Sequence, residues 1–360
     1  MNKINIAIIG CGTICNSAHA PNYRQNNNVC VKYLVDTIPN KASAVKEKFN
    51  FSNAEVRDDY KSILADKSLN AVSVCLPNYL HSQVSCDCMA AGLDVLCEKP
   101  IATSYSDAKT MQDTANRYNK ILNIGVVNRF DVYVNELKNV IASGRLGEVY
   151  HVYCSFRNHR SIPGMGGWFT TKKMSGGGVL IDWGIHFIDL IMYVLNNPDI
   201  NTVTGNVYCE LGKNMREYVF ENMWAGPPNY DGIYDVDDYV TALIRTSGPT
   251  ISINGAWAQN ILNDDMTIEF LGSKGGVKLR YRQDFDLTVS ENGKIETITP
   301  QLAPKDAFTE EINSFIDCVV TREKSRANID NVIKSQLIMD AIYDSSNLQS
   351  EVKISNRHNL

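Results

Sequence analysis

Two short segments hold the residue types that could do chemistry. Gly10-Cys11-Gly12-Thr13-Ile14-Cys15 sits where an apolar run turns into a helical pattern, and Glu98-Lys99-Pro100 ends a later apolar run. The first can cradle a dinucleotide pyrophosphate: Gly10 allows a tight turn, Gly12 leaves room for the phosphates to approach the backbone, and the amides of Thr13 and Ile14 open a helix N-terminus toward them. Cys15 stands where the pattern has its third glycine, which loosens helix–strand packing there. The second segment delivers an amine, Lys99, to the carboxyl end of a strand, where open α/β sheets bind ligands. Most lysines are solvated surface charges, but here an apolar strand precedes Lys99 and Pro100 restricts its backbone to extended conformations. A nucleotide cradle with a positioned amine points to redox chemistry on a hydroxyl or carbonyl.

Further candidates share these strand ends. Asp36 closes a strand and can accept hydrogen bonds from both adenosine ribose hydroxyls while repelling a 2′-phosphate, which favours NAD over NADP; capping the following loop is its simpler use. Leu76-Pro77-Asn78 could line the nicotinamide side. His81 is as suited to packing at a helix start as to touching the cofactor. In the second half, Gly176-Gly177-Gly178 precedes Asp182 and His186, which are four apart and share a helix face. A histidine oriented by a carboxylate can move a proton. On spacing alone, a buried histidine satisfied by a local carboxylate is an equal reading.

The elements that must position these residues follow from patterning. Strand-like runs at 3–9, 29–36, 71–76, 94–97 and 121–127 alternate with helical patterns at 42–49, 82–91 and 106–118, and the runs are continuously apolar. That predicts a parallel sheet covered on both faces. A helix is expected at 136–143. Beyond it come a strand at 149–156, a long helix at 179–195, and strands at 202–211, 238–246, 250–257, 266–271 and 276–281. The last five follow one another without helices between, which favours an antiparallel sheet. Two helices, 308–320 and 332–345, close the chain.

The whole resembles the Gfo/Idh/MocA family, which contains glucose–fructose oxidoreductase and inositol dehydrogenase. The resemblance is carried by Gly10-Cys11-Gly12, Leu76-Pro77-Asn78 with His81, Cys97-Glu98-Lys99-Pro100, Asn128-Arg129-Phe130, residues 144–148, Gly176 to His186 and Asp235-Val236-Asp237-Asp238. It implies an α/β fold: a Rossmann domain, residues 1–126, and a substrate-binding and oligomerisation domain with an open, mainly antiparallel sheet, residues 127–360. It implies NAD(P)-dependent oxidation or reduction of a sugar, polyol or glycoside, with Lys99, Asp182 and His186 in the catalytic roles. Glu98, with the strand-end residues above, would border the cofactor. Asn128, Arg129, Trp168, Lys173 and Trp183 are candidates for substrate contact. Rival readings are a glycoside 3-dehydrogenase, a redox-cycling glycosidase or epimerase that keeps its NAD, and a non-catalytic NAD-sensing regulator. The aromatic-rich segment 212–234 could cover a bulky aglycone, extend an oligomer contact or be a solvated loop.

Bulk properties set the remaining expectations. A chain of 360 residues suits two domains. The 44% hydrophobic and 21% charged content is ordinary for a soluble protein, and a formal net charge of −5 gives no support for a nucleic-acid partner. No apolar run is read as long enough for a bilayer, so no membrane partner is expected and the location expected is cytoplasmic. Seven of the ten cysteines fall in the first hundred residues, mostly inside apolar runs, and read as small buried hydrophobes in a reducing compartment. Cys86 and Cys88 point apart on a helix, and no second Cys/His pair completes a metal site. An open sheet needs a cover on its free face, which predicts a homo-oligomer, dimer or tetramer.

Overall fold

A computed structural model describes residues 3–221, 223–291 and 293–357. The chain forms two compact units, Met1–Phe130 with Lys305–Ile333 and Asp131–Pro304 with Lys334–Leu360.

Unit 1 is built on β1 (Ile4–Ile9), α1 (Ala20–Gln25), β2 (Val29–Val35), α2 (Pro39–Lys48), β3 (Glu55–Arg57), β4 (Ala71–Val74), α3 (His81–Ala90), β5 (Asp94–Glu98), α4 (Tyr105–Tyr118) and β6 (Leu122–Gly125). All six strands are parallel, in the order β3-β2-β1-β4-β5-β6. This is the doubly wound order, with its switch point between β1 and β4. Every residue of β4, β5 and β6 is buried, which is why these strands read as unbroken apolar runs rather than alternating ones. β3 has only three residues and no buried one, so no pattern announces it.

Unit 2 contains α5 (Val132–Ala142), β7 (Val149–Arg157), α6 (Lys172–Ser175), α7 (Ile185–Val194), β8 (Ile200–Tyr208), β9 (Tyr239–Thr246), β10 (Thr250–Ala256), β11 (Asp265–Gly272), β12 (Gly275–Arg280), β13 (Phe285–Glu291) and β14 (Lys294–Ile298). The chain then forms α8 (Ala307–Thr321), α9 (Ile329–Leu348) and β15 (Val352–Lys353). The nine-stranded sheet runs β14-β13-β12-β11-β7-β10-β9-β8-β15. Its pairs are antiparallel except β7 with β10. Burial alternates along β9 and β10, so one face is packed and the other open. α7 packs on the covered face, where Phe187 stacks on Phe156 at 4.8 Å and on Tyr281 at 4.5 Å between ring centroids. β14 is exposed throughout and lacks the alternation that would mark it.

Two expectations are revised. The division at 126/127 follows chain order, but α8 belongs to unit 1. There Ile312, Phe315 and Ile316 join Ile6, Ile8, Leu34 and Leu96 in one core. The stretch Lys172–Val194 is, on length and composition, apolar enough to cross a bilayer, but 83% of its most apolar window is buried inside the protein. It is a core segment: burial of most of it removes the need for a polar face.

Candidate functional site

In unit 1 the site begins at the turn after β1. The Gly10 amide donates to Val35 O at 2.8 Å. Its φ of +96°, and the 2.3 Å that would separate a Cβ at this position from Cys75 O, admit glycine alone. Beyond its chain neighbours, no described atom lies within 4 Å of where a Cβ would stand on Gly12, so the space above it is open. The Asn16 side chain donates to Cys11 O and Gly12 O at 3.2 and 3.0 Å and holds the turn against the following helix. That helix carries a π turn, Cys15–His19, closed by the Ala20 amide on Cys15 O; Pro21, next along, has no N–H to offer Ser17 O. First-turn amides have no intrahelical acceptor and favour an anion. Asp36, half-buried at the end of β2, accepts from Cys11 N and Ile38 N, both at 2.9 Å. It therefore does cap its loop, and each carboxylate oxygen retains a further lone pair for a ribose hydroxyl. Open space above a glycine turn, a helix N-terminus and a carboxylate beside it fit a dinucleotide. Hydrogen bonding with Cys11, followed by burial, holds the Cys15 thiol far above its ordinary pKa, so this position is inert packing.

Lys99 follows β5 directly and is half-buried. Its backbone is braced from below: Glu98 is buried, its Oε1 lies 2.8 Å from His19 Nε2, and its Oε2 accepts from Lys99 N at 3.2 Å. Gly125 of β6 leaves room for this carboxylate, which a Cβ in its place would meet at 3.0 Å. Glu98, expected to border the cofactor, is also an internal brace tied to the helix after the glycine turn. For His81 the packing role is the one on view. The ring is fully buried, with Nδ1 2.8 Å from Pro100 O and Nε2 2.8 Å from Leu76 O, so it clamps the loops after β4 and β5. Burial holds its pKa below the ordinary value against the pull of the two carbonyls. Leu76 and Pro77 keep partial exposure at the strand end, and Asn78 is buried. Asn128 and Arg129 are buried too. Arg129, a candidate for substrate contact, donates to Arg326 O at 2.6 Å and Asn331 O at 2.8 Å and so clamps that segment. Thr13 is exposed and Ile14 half-buried at the helix opening.

In unit 2 a second π turn, Leu180–Gly184, carries Asp182 and leads into α7. Nine of the ten residues of α7 are buried; the exception is His186. Asp182 Oδ2 accepts the indole N–H of Trp257 at 3.1 Å, which fixes the carboxylate from the end of β10. The start of this helix is held by Asp237. Its Oδ1 accepts from Gly178 N (2.8 Å) and Tyr343 OH (2.7 Å), its Oδ2 from Leu180 N (3.0 Å), and its carbonyl from Val179 N (2.9 Å). A Cβ on Gly178 would stand 1.8 Å from Asp237 O, so the close approach requires glycine. The carboxylate caps the helix as an N-cap side chain would, from elsewhere in the chain. Sequence reading gave Asp237 no role of its own and took Trp257 for the end of a strand; pairs 59 and 75 residues apart leave no local signal. Trp183 is half-buried near Phe187 and Tyr281, Trp168 is half-buried against Phe169, and Lys173 is exposed on α6. Among the described residues no group of three or more His, Cys, Asp or Glu could hold a metal ion.

Residues 4–126 match an oxidoreductase family with an NAD-binding Rossmann fold, and residues 134–278 match the GFO/IDH/MocA C-terminal domain. The chain belongs to the Gfo/Idh/MocA family. As a member it is an NAD-dependent oxidoreductase, with unit 1 as its nucleotide-binding Rossmann fold. It is 29% identical to D-glucoside 3-dehydrogenase of Escherichia coli over 356 residues, 98% of each chain. It is 26% identical to myo-inositol 2-dehydrogenase of Thermotoga maritima over 76% of this chain and 74% of that one. The fold also matches a solved levoglucosan dehydrogenase in complex with NADH and levoglucosan, with a TM-score of 0.85 at 20% identity over 98% of this chain and 99% of that one.

Proposed function

We propose that this Gfo/Idh/MocA protein is a cytoplasmic glycoside dehydrogenase that oxidises a secondary ring hydroxyl of a glucoside, at C3. Bound NAD would supply the hydride acceptor. His186 takes the hydroxyl proton on an imidazole nitrogen, with Asp182 orienting the ring and stabilising its charged form. Lys99 Nζ donates a hydrogen bond to the same substrate oxygen as alkoxide charge develops. Asp36, a carboxylate where a 2′-phosphate would stand, supports NAD over NADP. Trp168, Lys173 and Trp183 are the side chains offered to the substrate.

The observation that carries this reading is local to α7: its one residue that is not buried is a histidine, four positions after a carboxylate already fixed by Trp257. The end-to-end similarity to a D-glucoside 3-dehydrogenase supports the choice of substrate and carbon. Ten cysteines, all free thiols, support a reducing compartment. The open face of the second sheet carries Tyr153, Tyr208 and Tyr239, a surface suited to a second copy and hence to a dimer or tetramer.

The test follows NADH absorbance with glucosides and identifies the product. Lys99→Ala and His186→Ala should each lower turnover about 100-fold or more while NAD binding persists. Ordinary turnover in either variant removes that residue from the mechanism. Product formed without NADH would turn the reading into a redox cycle that regenerates its own NAD.

A further inference from the structure

Arg157 at the end of β7 pairs with Ala256 at the end of β10 and with Asp265 at the start of β11, and Ala256 pairs with Tyr239 at the start of β9. These ends form one edge of the second sheet, the edge where Trp257 meets Asp182. Two long loops leave it, residues 158–171 and 209–238. They are stitched together: Ala225 N donates to Pro163 O and Asn229 N to Met165 O, both at 2.8 Å, and Thr170 Oγ1 donates to Ile233 O at 2.9 Å. The first loop is fixed at both ends, by Ser161 N on Trp257 O at 2.8 Å and by Lys172 N on Asp235 Oδ1 at 2.6 Å. The aromatic segment is therefore tied to the first loop at Ala225, Asn229 and Ile233, while many of its side chains stay exposed.

On this held backbone three rings meet. Trp168 and Phe169 lie 3.8 Å apart, and Trp224 stands edge-on to Phe169 at 5.1 Å. Trp224 is nevertheless 54% exposed. Folding alone favours burying an indole, so an exposed one clamped beside two further rings needs another account. Fixed aromatic faces bind flat apolar groups by offset or edge-to-face stacking. Val219, Phe220 and Ile233, also exposed along the second loop, are apolar, which suits an aromatic ring better than a second sugar whose hydroxyls would need polar partners. We infer that Trp168, Phe169 and Trp224 form a subsite for an aromatic aglycone of the substrate glucoside.

This inference rests on the glucoside reading, and one experiment separates the two. Initial rates are measured with phenyl and with methyl β-D-glucopyranoside for the wild type, Trp224→Ala and Trp224→Phe. The wild type should prefer the phenyl glucoside by about tenfold in kcat/KM, the scale of a well-placed ring contact. The ratio should fall to about one in Trp224→Ala and largely survive in Trp224→Phe. Each ratio is taken within one preparation, so a lowered folded fraction cancels. A wild type without phenyl preference, or the same preference in Trp224→Ala, overturns the subsite and leaves the glucoside reading standing. Oxidation of neither glucoside overturns both.

Discussion

The end of β5 and the start of the α7 helix both present a polar side chain from a buried element, and a buried carboxylate steadies each one in a different way. At β5, Glu98 accepts one side-chain bond and one backbone bond, from His19 and from Lys99 N. The other nitrogen of that imidazole, Nδ1, is buried with no hydrogen-bond partner among the described residues. At α7, Asp237 accepts two backbone amides and a tyrosine hydroxyl through its carboxylate, and a third amide through its carbonyl. A network with every member matched rigidifies what it holds, whereas a partly matched one leaves room to adjust. The helix with Asp182 and His186 is thus fixed as a unit, and Lys99 sits on the more adjustable support.

The comparison breaks first at Asp237. Replacing it with alanine leaves Gly178 N, Leu180 N and Tyr343 OH without their acceptor inside unit 2. At about 1–3 kcal/mol for each buried unmatched group, not fully additive, the loss should reach about 4 kcal/mol. All four tryptophans lie in unit 2, so urea unfolding followed by their fluorescence reads this unit directly. Asp237→Asn keeps an acceptor oxygen and should cost distinctly less. A loss below about 1 kcal/mol in Asp237→Ala would show that the cap does not hold the helix.

Glu98→Ala is expected to cost less, about 2 kcal/mol, because fewer donors lose their partner. The local consequence is sharper than the global one. Hydrogen exchange in peptides spanning residues 94–101 should accelerate, and turnover should fall through kcat with little change in KM, since the brace acts on the placement of Lys99. His19→Ala should reproduce the effect in part. If exchange in this stretch is unchanged in Glu98→Ala, the carboxylate packs without bracing and the contrast with Asp237 disappears.

How far the sequence led differs between the two regions for a physical reason. The glycine turn, Asp36, Lys99 and the Asp182–His186 spacing were legible because each is a local pattern on a strand end or one helix face. The strand alternation of unit 1 and most of the second sheet were legible for the same reason. What stayed hidden depends on pairs far apart in the chain: His19 with Glu98, Arg129 with the 326–331 segment, Asp237 with the glycine run, Trp257 with Asp182. Arg129, His81 and Glu98 carry residue types that suit ligands, and only the structure shows that each is buried and bonded within the fold. The return of α8 to the first core has no local mark either, since an amphipathic helix does not say which core it covers.

The smallest expected effect sharpens the same contrast through pH. His81 in unit 1 and His151 in unit 2 are both held below the ordinary histidine pKa of 6.5 by burial, but His81 is fully enclosed and His151 is half-exposed. Around His81, Glu98 raises the pKa and Lys99 lowers it, both less than burial does. With the folded pKa depressed, the unfolded chain binds its proton first as pH falls through about 6.5. Stability is then lost as pH drops through that value, and the loss levels off once the folded ring protonates. His81→Asn keeps an amide donor for a neighbouring carbonyl and removes the titration. The fall in melting temperature from pH 7.5 to 5.5 should therefore be smaller in His81→Asn than in the wild type, and His151→Asn should change it less. An identical fall in wild type and His81→Asn would mean that enclosure of this ring does not govern the acid side of the stability curve.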